Sequence, residues 1–303
     1  MKKKYQITFA FKIFIAQFAL SFIGLIIGCT WGLNGENKTW SQFINNDVIS
    51  VASGVKSEAN SKDIPKVIND PTAVEPPVVE KAKTKEDKDK EALSQINTCI
   101  SSFSTSLGAS STTRINNIEV CTKAINGKIL MPGEIFSFNE VVGKRTKERG
   151  YKEAPVIVNN KVESGLGGGI CQVSSTLYNA VLIAGIQSID RTHHSVPSEY
   201  VDLGLDATVD WENIDFKFTN TLQYPIYIEG QIKNNNLYVN ILSNSKLSAK
   251  KYIIENSILE EGNVCEAKVT RKTYENGSFV NSEAISDDTY MASSLLKKND
   301  KKY

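Results

Sequence analysis

The chain has 303 residues and carries 35 Lys and Arg against 34 Asp and Glu, a formal net charge of +1. That length admits one ordinary domain with accessory segments, and that balance offers no overall field to a polyanion. No Lys/Arg cluster interleaves with aromatics in the manner of a nucleic-acid groove, so nucleic acid is not expected as a partner.

The N-terminus reads as a membrane signal. "MKKKYQITFAFK" is basic, and Ile13 to Leu33 then runs without a charged residue. As a helix this run is long enough to cross a hydrocarbon core of about 30 Å. Lys2, Lys3, Lys4 and Lys12 precede it, so the positive-inside bias places the residues beyond Leu33 outside the cell. A cleaved signal peptide has a similar plan. "LIIGC", Leu25 to Cys29, also resembles a bacterial lipoprotein box, which would leave Cys29 acylated. An uncleaved single-pass anchor is favoured because the apolar run continues past Cys29 through Trp31 and Leu33. Each route leaves the body of the protein on the outer face of a membrane.

Residues 34–91 change character. "PTAVEPPVVEKAKTKEDKDKE" is proline-spaced and then densely charged, with too few large apolar residues to offset ordering entropy. It reads as an extended extracellular tether.

Globular patterning begins near Ala92. Leu93, Ile96, Ile100 and Phe103 recur at helical intervals, as do Ile115, Ile118, Val120 or Cys121, and Ile125. Gly127 can end the second of these helices. A turn at Pro132-Gly133 precedes a short strand, and "APVIVNNKVESGLGGG" reads as a strand, an Asn-Asn turn and a glycine loop. "CQVSSTLYNAVLIAG" puts Val173, Leu177, Val181 and Ala184 on one helical face, with Gly185 as its stop. Apolar alternation then marks strands in "ATVDW", "IDFKFTN", "PIYIEGQI" and "NLYVNIL". Asn276-Gly277 lies between two strand-like runs, a strong hairpin signal. The expected class is α+β: an N-terminal anchor, helices followed by an antiparallel sheet across a domain of residues 92–243, and a β-rich tail over 244–303.

Five cysteines are present, and none lies within CxxC spacing of another. Outside a membrane the ordinary fate of such residues is a disulfide or a packed thiol. Cys99 and Cys121 fall on predicted adjacent helices and could pair. Cys171 differs. It follows Gly167, Gly168 and Gly169 and opens a helix, where free N–H groups and the dipole favour a thiolate. The glycines, Gly168 and Gly169 above all, allow close backbone approach to a substrate and to a developing oxyanion. On these grounds a nucleophile and a structural thiol are equally supported.

A thiol nucleophile wants a base and a group that orients it. The only two histidines, His193 and His194, come after the Cys helix, and a helix-to-strand return could bring one against the thiol. Asp206 and Asp202 are nearby carboxylates, with Tyr200 and Ser195 as polar alternatives. Neighbouring histidines on a strand point to opposite faces, so no metal is expected, and no cofactor.

Three segments carry a resemblance: "PGEIFSFNEVVGKRTKERGYKEAPVIV", "GGGICQVSSTLYNAVLIAG" and "HSVPSEYVDLGLDATV". Together they strongly resemble the VanW domain of bacterial surface proteins, over roughly Ala92 to Leu242. The tail also resembles the β-rich segment that often follows this domain. The resemblance implies a peptidoglycan L,D-transpeptidase working through a cysteine thioester. Its thiolate would attack the carbonyl at the L-centre of a diaminopimelate residue in a stem tetrapeptide. The terminal D-alanine would leave, and a second diaminopimelate amine would resolve the thioester into a cross-link. The family's cysteine maps onto Cys171, its His-Ser pair onto His194 and Ser195, and its DATV aspartate onto Asp206. Arg145, in "GKRT", could hold a substrate carboxylate. The expected partners are peptidoglycan stem peptides and, through Ile13–Leu33, the membrane. The alternatives are a cell-wall thiol amidase or endopeptidase that hands the same thioester to water, and a non-catalytic wall-binding or glycopeptide-resistance module.

Overall fold

The computed structural model describes residues 84–158 and 161–291. Among them lie four α-helices and twelve strands in antiparallel sheets, an α+β arrangement. The expected span Ile13–Leu33 lies outside the described residues. Among those described, no helix is long and apolar enough to cross a membrane.

Helix α1 (Lys85–Gln95) begins in the segment read as tether. A capping box explains the difference. Thr84 Oγ1 accepts from the Asp87 amide at 3.2 Å, and the Asp87 carboxylate accepts from the Thr84 amide at 3.1 Å. The helical spacing expected through Phe103 is then overturned, because β1 (Thr98–Ser106) is a strand paired along β9. Its inward residues include Ser101 and Thr105, whose hydroxyls are spent on another element. The apolar residues left over happened to fall at helical intervals.

Helix α2 (Thr112–Ile125) starts at Ser111, whose side chain accepts from the Arg114 amide, and stops before Gly127 at φ +83°. After it come β2 (Lys128–Leu130), β3 (Ile135–Ser137), the single-turn helix α3 (Phe138–Val142) and the hairpin β4 (Glu153–Val158)–β5 (Lys161–Leu166). Helix α4 (Ile170–Ile183) comes after the glycines, and Gly185 at φ +83° ends it. Then come β6 (Ser188–Asp190), β7 (Lys217–Thr219), β8 (Ile226–Lys233) and β9 (Asn236–Ser243). The strand expected over "ATVDW" is reduced to isolated bridges, Thr192 with Thr208 and Asp210 with Ile214.

One sheet has the order β1-β9-β8-β2, and another β3-β7-β6. Helix α4 lies against β1 and β9, and α2 against β8 and α4. All of α4 except Cys171 and Ile183 is buried, so it has no solvent face at all. Within the 244–303 segment, β10 (Lys250–Glu261), β11 (Val264–Glu275) and β12 (Ser278–Met291) form a meander. Its second turn has Asn276 and Gly277 at φ 50° and 84°, as the hairpin signal predicts. The meander packs onto α4: the Arg271 guanidinium donates to Ile186 O at 2.9 Å, and Tyr252 fills the space a side chain at Gly185 would need.

Candidate active site

The glycine turn is shaped by packing before any chemistry. A Cβ on Gly168 would lie 2.5 Å from Pro155 O and 2.8 Å from Ala154 O, so only glycine lets β4 come this close. Asn117 staples the contact, donating to Gly168 O (3.1 Å) and Lys152 O (2.9 Å) and accepting from the Lys152 amide. Gly169 caps α4 with φ +109° and no side-chain cap. The amides of Ile170 and Gln172 turn back onto Gly167 O and Gly169 O. Those of Gly168, Gly169 and Cys171 have no acceptor among the described residues. The positive end of α4 therefore presents free donors beside Cys171.

The buried polar residues of α4 fix its register on two flanks. Toward β1, Gln172 donates to Thr105 Oγ1 (3.0 Å) and Ser106 O (2.8 Å), and Ser101 donates to Ala180 O (2.7 Å). Arg114 from α2 donates to Gln172 Oε1 at 2.8 Å. Toward residues 205–209, Ser174 donates to Ala207 O (2.6 Å), the Ala207 amide donates to Ser175 Oγ (2.9 Å), and Asn179 donates to Leu205 O (2.6 Å). One helix thus carries Cys171 and pins the segment that carries Asp206.

Cys171, His194 and Asp206 come together. The Cys171 thiol reaches Val209 O at 3.4 Å, and the His194 imidazole is the neighbouring group whose polarity and charge act on it. His194 Nδ1 lies 2.5 Å from Asp206 Oδ2, which also accepts the His194 amide at 2.6 Å. With Nδ1 committed to Asp206, Nε2 is the ring nitrogen left for the thiol. Burial pushes the thiol up, but His194 outweighs it and brings Cys171 below the ordinary thiol range. Burial pushes the imidazole down, but Asp206 and Cys171 raise it to about 10. Burial likewise disfavours the Asp206 carboxylate, yet His194 and then Tyr290 hold it below the usual range. The arrangement favours thiolate, imidazolium and carboxylate in a row.

The far side of Asp206 was not legible in sequence. Tyr290 Oη donates to Oδ1 at 2.6 Å and accepts from the Gly204 amide at 2.9 Å. Arg191 approaches Oδ1 at 3.2 Å, donates through Nε to Asp206 O at 2.7 Å, and is paired through Nη1 with Asp288 at 2.6 Å. Its guanidinium lies 5.1 Å from the Tyr178 ring centroid. No motif links Tyr290 or Asp288 to the histidines, because the contact is made only when β12 folds back.

The other expected residues scatter around this line. Tyr200 packs edge-on to His194 at 6.5 Å; burial and the nearby Cys171 push its phenol up. Arg145 stacks between Phe138 and Trp211, 5.9 Å from each ring centroid, and its Nη atoms are buried without a hydrogen-bond partner. Its stem lies against Gly167, and its charge acts on Cys171. Ser195 is exposed, and its carbonyl accepts from the Met291 amide at 2.8 Å. His193 turns away: its Nδ1 meets His194 O at 2.7 Å and its ring faces Tyr290. Of the two fates open to Cys99 and Cys121, a disulfide or intact thiols, the structure shows the second. Both are free thiols, one exposed on β1 and one buried on α2. Among the described residues no group of three His, Cys, Asp or Glu could hold a metal.

Residues 113–242 match the family described as "VanW like protein". A relative from Bacillus subtilis (strain 168), "Uncharacterized protein YoaR", is 41% identical over 163 residues, covering 54% of this chain and 54% of its own. The "Vancomycin B-type resistance protein VanW" of Enterococcus faecalis (strain ATCC 700802 / V583) is 29% identical over 167 residues, covering 52% of this chain and 61% of its own. The chain thus spans only about half the length of the first of these relatives. No solved structure matches. The matched region holds Cys171, His194 and Asp206 and ends before β10, so this chain is similar to VanW-like proteins over the part that builds the site.

Proposed function

We propose that this protein is a cell-wall acyltransferase that uses Cys171 as its nucleophile and acts as an L,D-transpeptidase on peptidoglycan stem peptides. The observation that carries the reading is the line Cys171–His194–Asp206 at the free N-terminus of a buried helix. In the first half-reaction the thiolate attacks the carbonyl at the L-centre of the donor's diaminopimelate. The amides of Gly169 and Cys171, with Gly168 beside them, receive the oxyanion. The C–N bond to the terminal D-alanine breaks, and the His194 imidazolium gives its proton to the leaving amine. In the second, an acceptor amine attacks the thioester and gives a proton to His194, and the C–S bond breaks to return the thiolate. Arg145, whose Nη atoms have no hydrogen-bond partner among the described residues, suits a donor carboxylate. The apolar span and the basic residues before it support a membrane-anchored protein with this domain outside the cell.

Purified protein incubated with tetrapeptide muropeptides should yield cross-linked dimers and free D-alanine, with a thioester adduct on Cys171 detectable by mass spectrometry. Cys171→Ala should give neither. Shortened stems without dimers would assign water as the acceptor and make the protein a thiol amidase. Cross-links formed by Cys171→Ala would end the nucleophile reading, and neither dimers nor shortened stems from the unsubstituted protein would leave a binding or glycopeptide-resistance role.

A further inference from the structure

The meander β10–β12 lies beyond the residues that match the VanW-like family, yet it reaches the candidate site. Asp206 sits between two sets of donors. Oδ2 takes the amide and Nδ1 of His194, while Oδ1 takes the Tyr290 hydroxyl and Arg191 Nη2. A carboxylate with four lone-pair sites is filled by four donors, so it has no freedom to rotate. Two of the groups that fix it depend on β12: Tyr290 directly, and Arg191 through its 2.6 Å pair with Asp288. Asp288 is in turn held by Ser286 at 3.1 Å. Both carboxylates and the guanidinium are nearly inaccessible, where a partly satisfied network would be costly. The Met291 amide on Ser195 O joins β12 to the histidine segment a second time.

We propose that the C-terminal sheet is part of the candidate site, with Tyr290 and Asp288 as positioning residues that aim the Asp206 carboxylate at His194. Tyr290 donates to the ionised carboxylate and sets its angle. Asp288 restrains Arg191, so that the guanidinium steadies Asp206 while part of its charge is spent elsewhere. The other groups facing Asp206 are His194, Tyr178 of α4, and Tyr200; His193 lies on the Tyr290 ring. This inference rests on the reading of Cys171 and His194 as a reactive pair, but not on which acceptor or substrate they serve.

The two residues act on Asp206 with opposite sign, and the test uses that difference. Tyr290→Phe removes a donor to the carboxylate and should raise its pKa. Asp288→Asn removes a competing anion from Arg191 and should lower it. The readout is the titration of the Asp206 carboxyl by carbon-13 NMR on the full chain, with the signal assigned by its loss in Asp206→Asn. Its midpoint should move up by about one pH unit in Tyr290→Phe, the scale of one charge-assisted hydrogen bond. It should move down in Asp288→Asn. A purely structural role for β12 would move both midpoints the same way or neither, and either result would overturn the proposal. Muropeptide turnover plays no part in the measurement, so a failure of the cross-linking reading is told apart from a failure here. Tyr290→Phe that unfolds is recognised by loss of the far-UV signal, and Asp288→Asn then decides by the direction of its shift alone.

Discussion

Asp206→Asn removes one charge while keeping the side chain's shape, and the four donors around Asp206 dictate the outcome. The amide NH2 must replace one carboxylate oxygen. In place of Oδ2 it would face the His194 backbone N–H, which cannot accept. In place of Oδ1 it would face Arg191 Nη2, which cannot accept either, although the Tyr290 hydroxyl could turn. At least one buried N–H loses its partner, at a cost of about 1–3 kcal/mol. His194 and Arg191 also lose a shared anion at a site only 2% accessible. Breaking a buried pair in this way costs about 3–5 kcal/mol in total. For a folded region of this size that lowers the melting midpoint by roughly 10 °C. The imidazole should fall from about 10 toward its ordinary value, because only Cys171 still favours its charged form. Thermal unfolding by circular dichroism and an NMR titration of His194 read the two effects separately. An unchanged midpoint together with an unchanged titration would refute the assignment of Asp206 as the counter-charge of His194.

Three further outcomes are expected. His194→Gln should abolish acylation of Cys171, whereas His193→Gln should retain most of it, as measured by adduct mass; equal losses would put the base at His193 or make both rings positional. Gly168→Ala forces a Cβ to within 2.8 Å of two carbonyl oxygens, so denaturant unfolding should show a loss of about 1–3 kcal/mol with a shifted glycine turn. In Cys171→Ala, stability should track the remaining pair. The raised imidazole contributes fully below its ordinary value of about 6.5 and loses that contribution as pH climbs through its folded value. The lowered carboxylate contributes above about 3.9 and loses that contribution as pH falls through its folded value. Urea midpoints should therefore plateau between about pH 4 and pH 6.5, and a midpoint still rising at pH 8 would contradict the sign of the His194 shift.

Much of the fold could be read where periodicity and punctuation agreed. Helix α2 with Gly127, helix α4 with Gly185 and the Asn276-Gly277 hairpin are local matters, decided by residues a few positions apart. Strand β1 was not legible, because Ser101 and Thr105 occupy its buried face and hydrogen-bond α4 instead of packing as hydrocarbons. Hydropathy alone cannot register a buried hydroxyl. The same limit applied at the site. Cys171, His194 and Asp206 lie within one stretch of sequence that carries the family resemblance. Tyr290, Asp288, Ser174, Ser175 and Asn179 act through hydrogen bonds between elements whose distance is set by the completed fold.

Helix α4 has consequences for motion. Cys171, the proposed nucleophile, stands on a helix with no solvent face and not on a loop. Beyond the free donors at its N-terminus, exchange of the hydrogen-bonded α4 amides should require opening of the whole folded unit. Approach to the thiol cannot then rely on the helix yielding. The moving parts must be the substrate and the peripheral side chains, foremost Trp211, which is 42% exposed and stacks on Arg145. Substrates would be sorted by how well a flexible peptide adapts to a fixed wall, so selectivity would appear more in the binding of the stem than in the rate once it is seated.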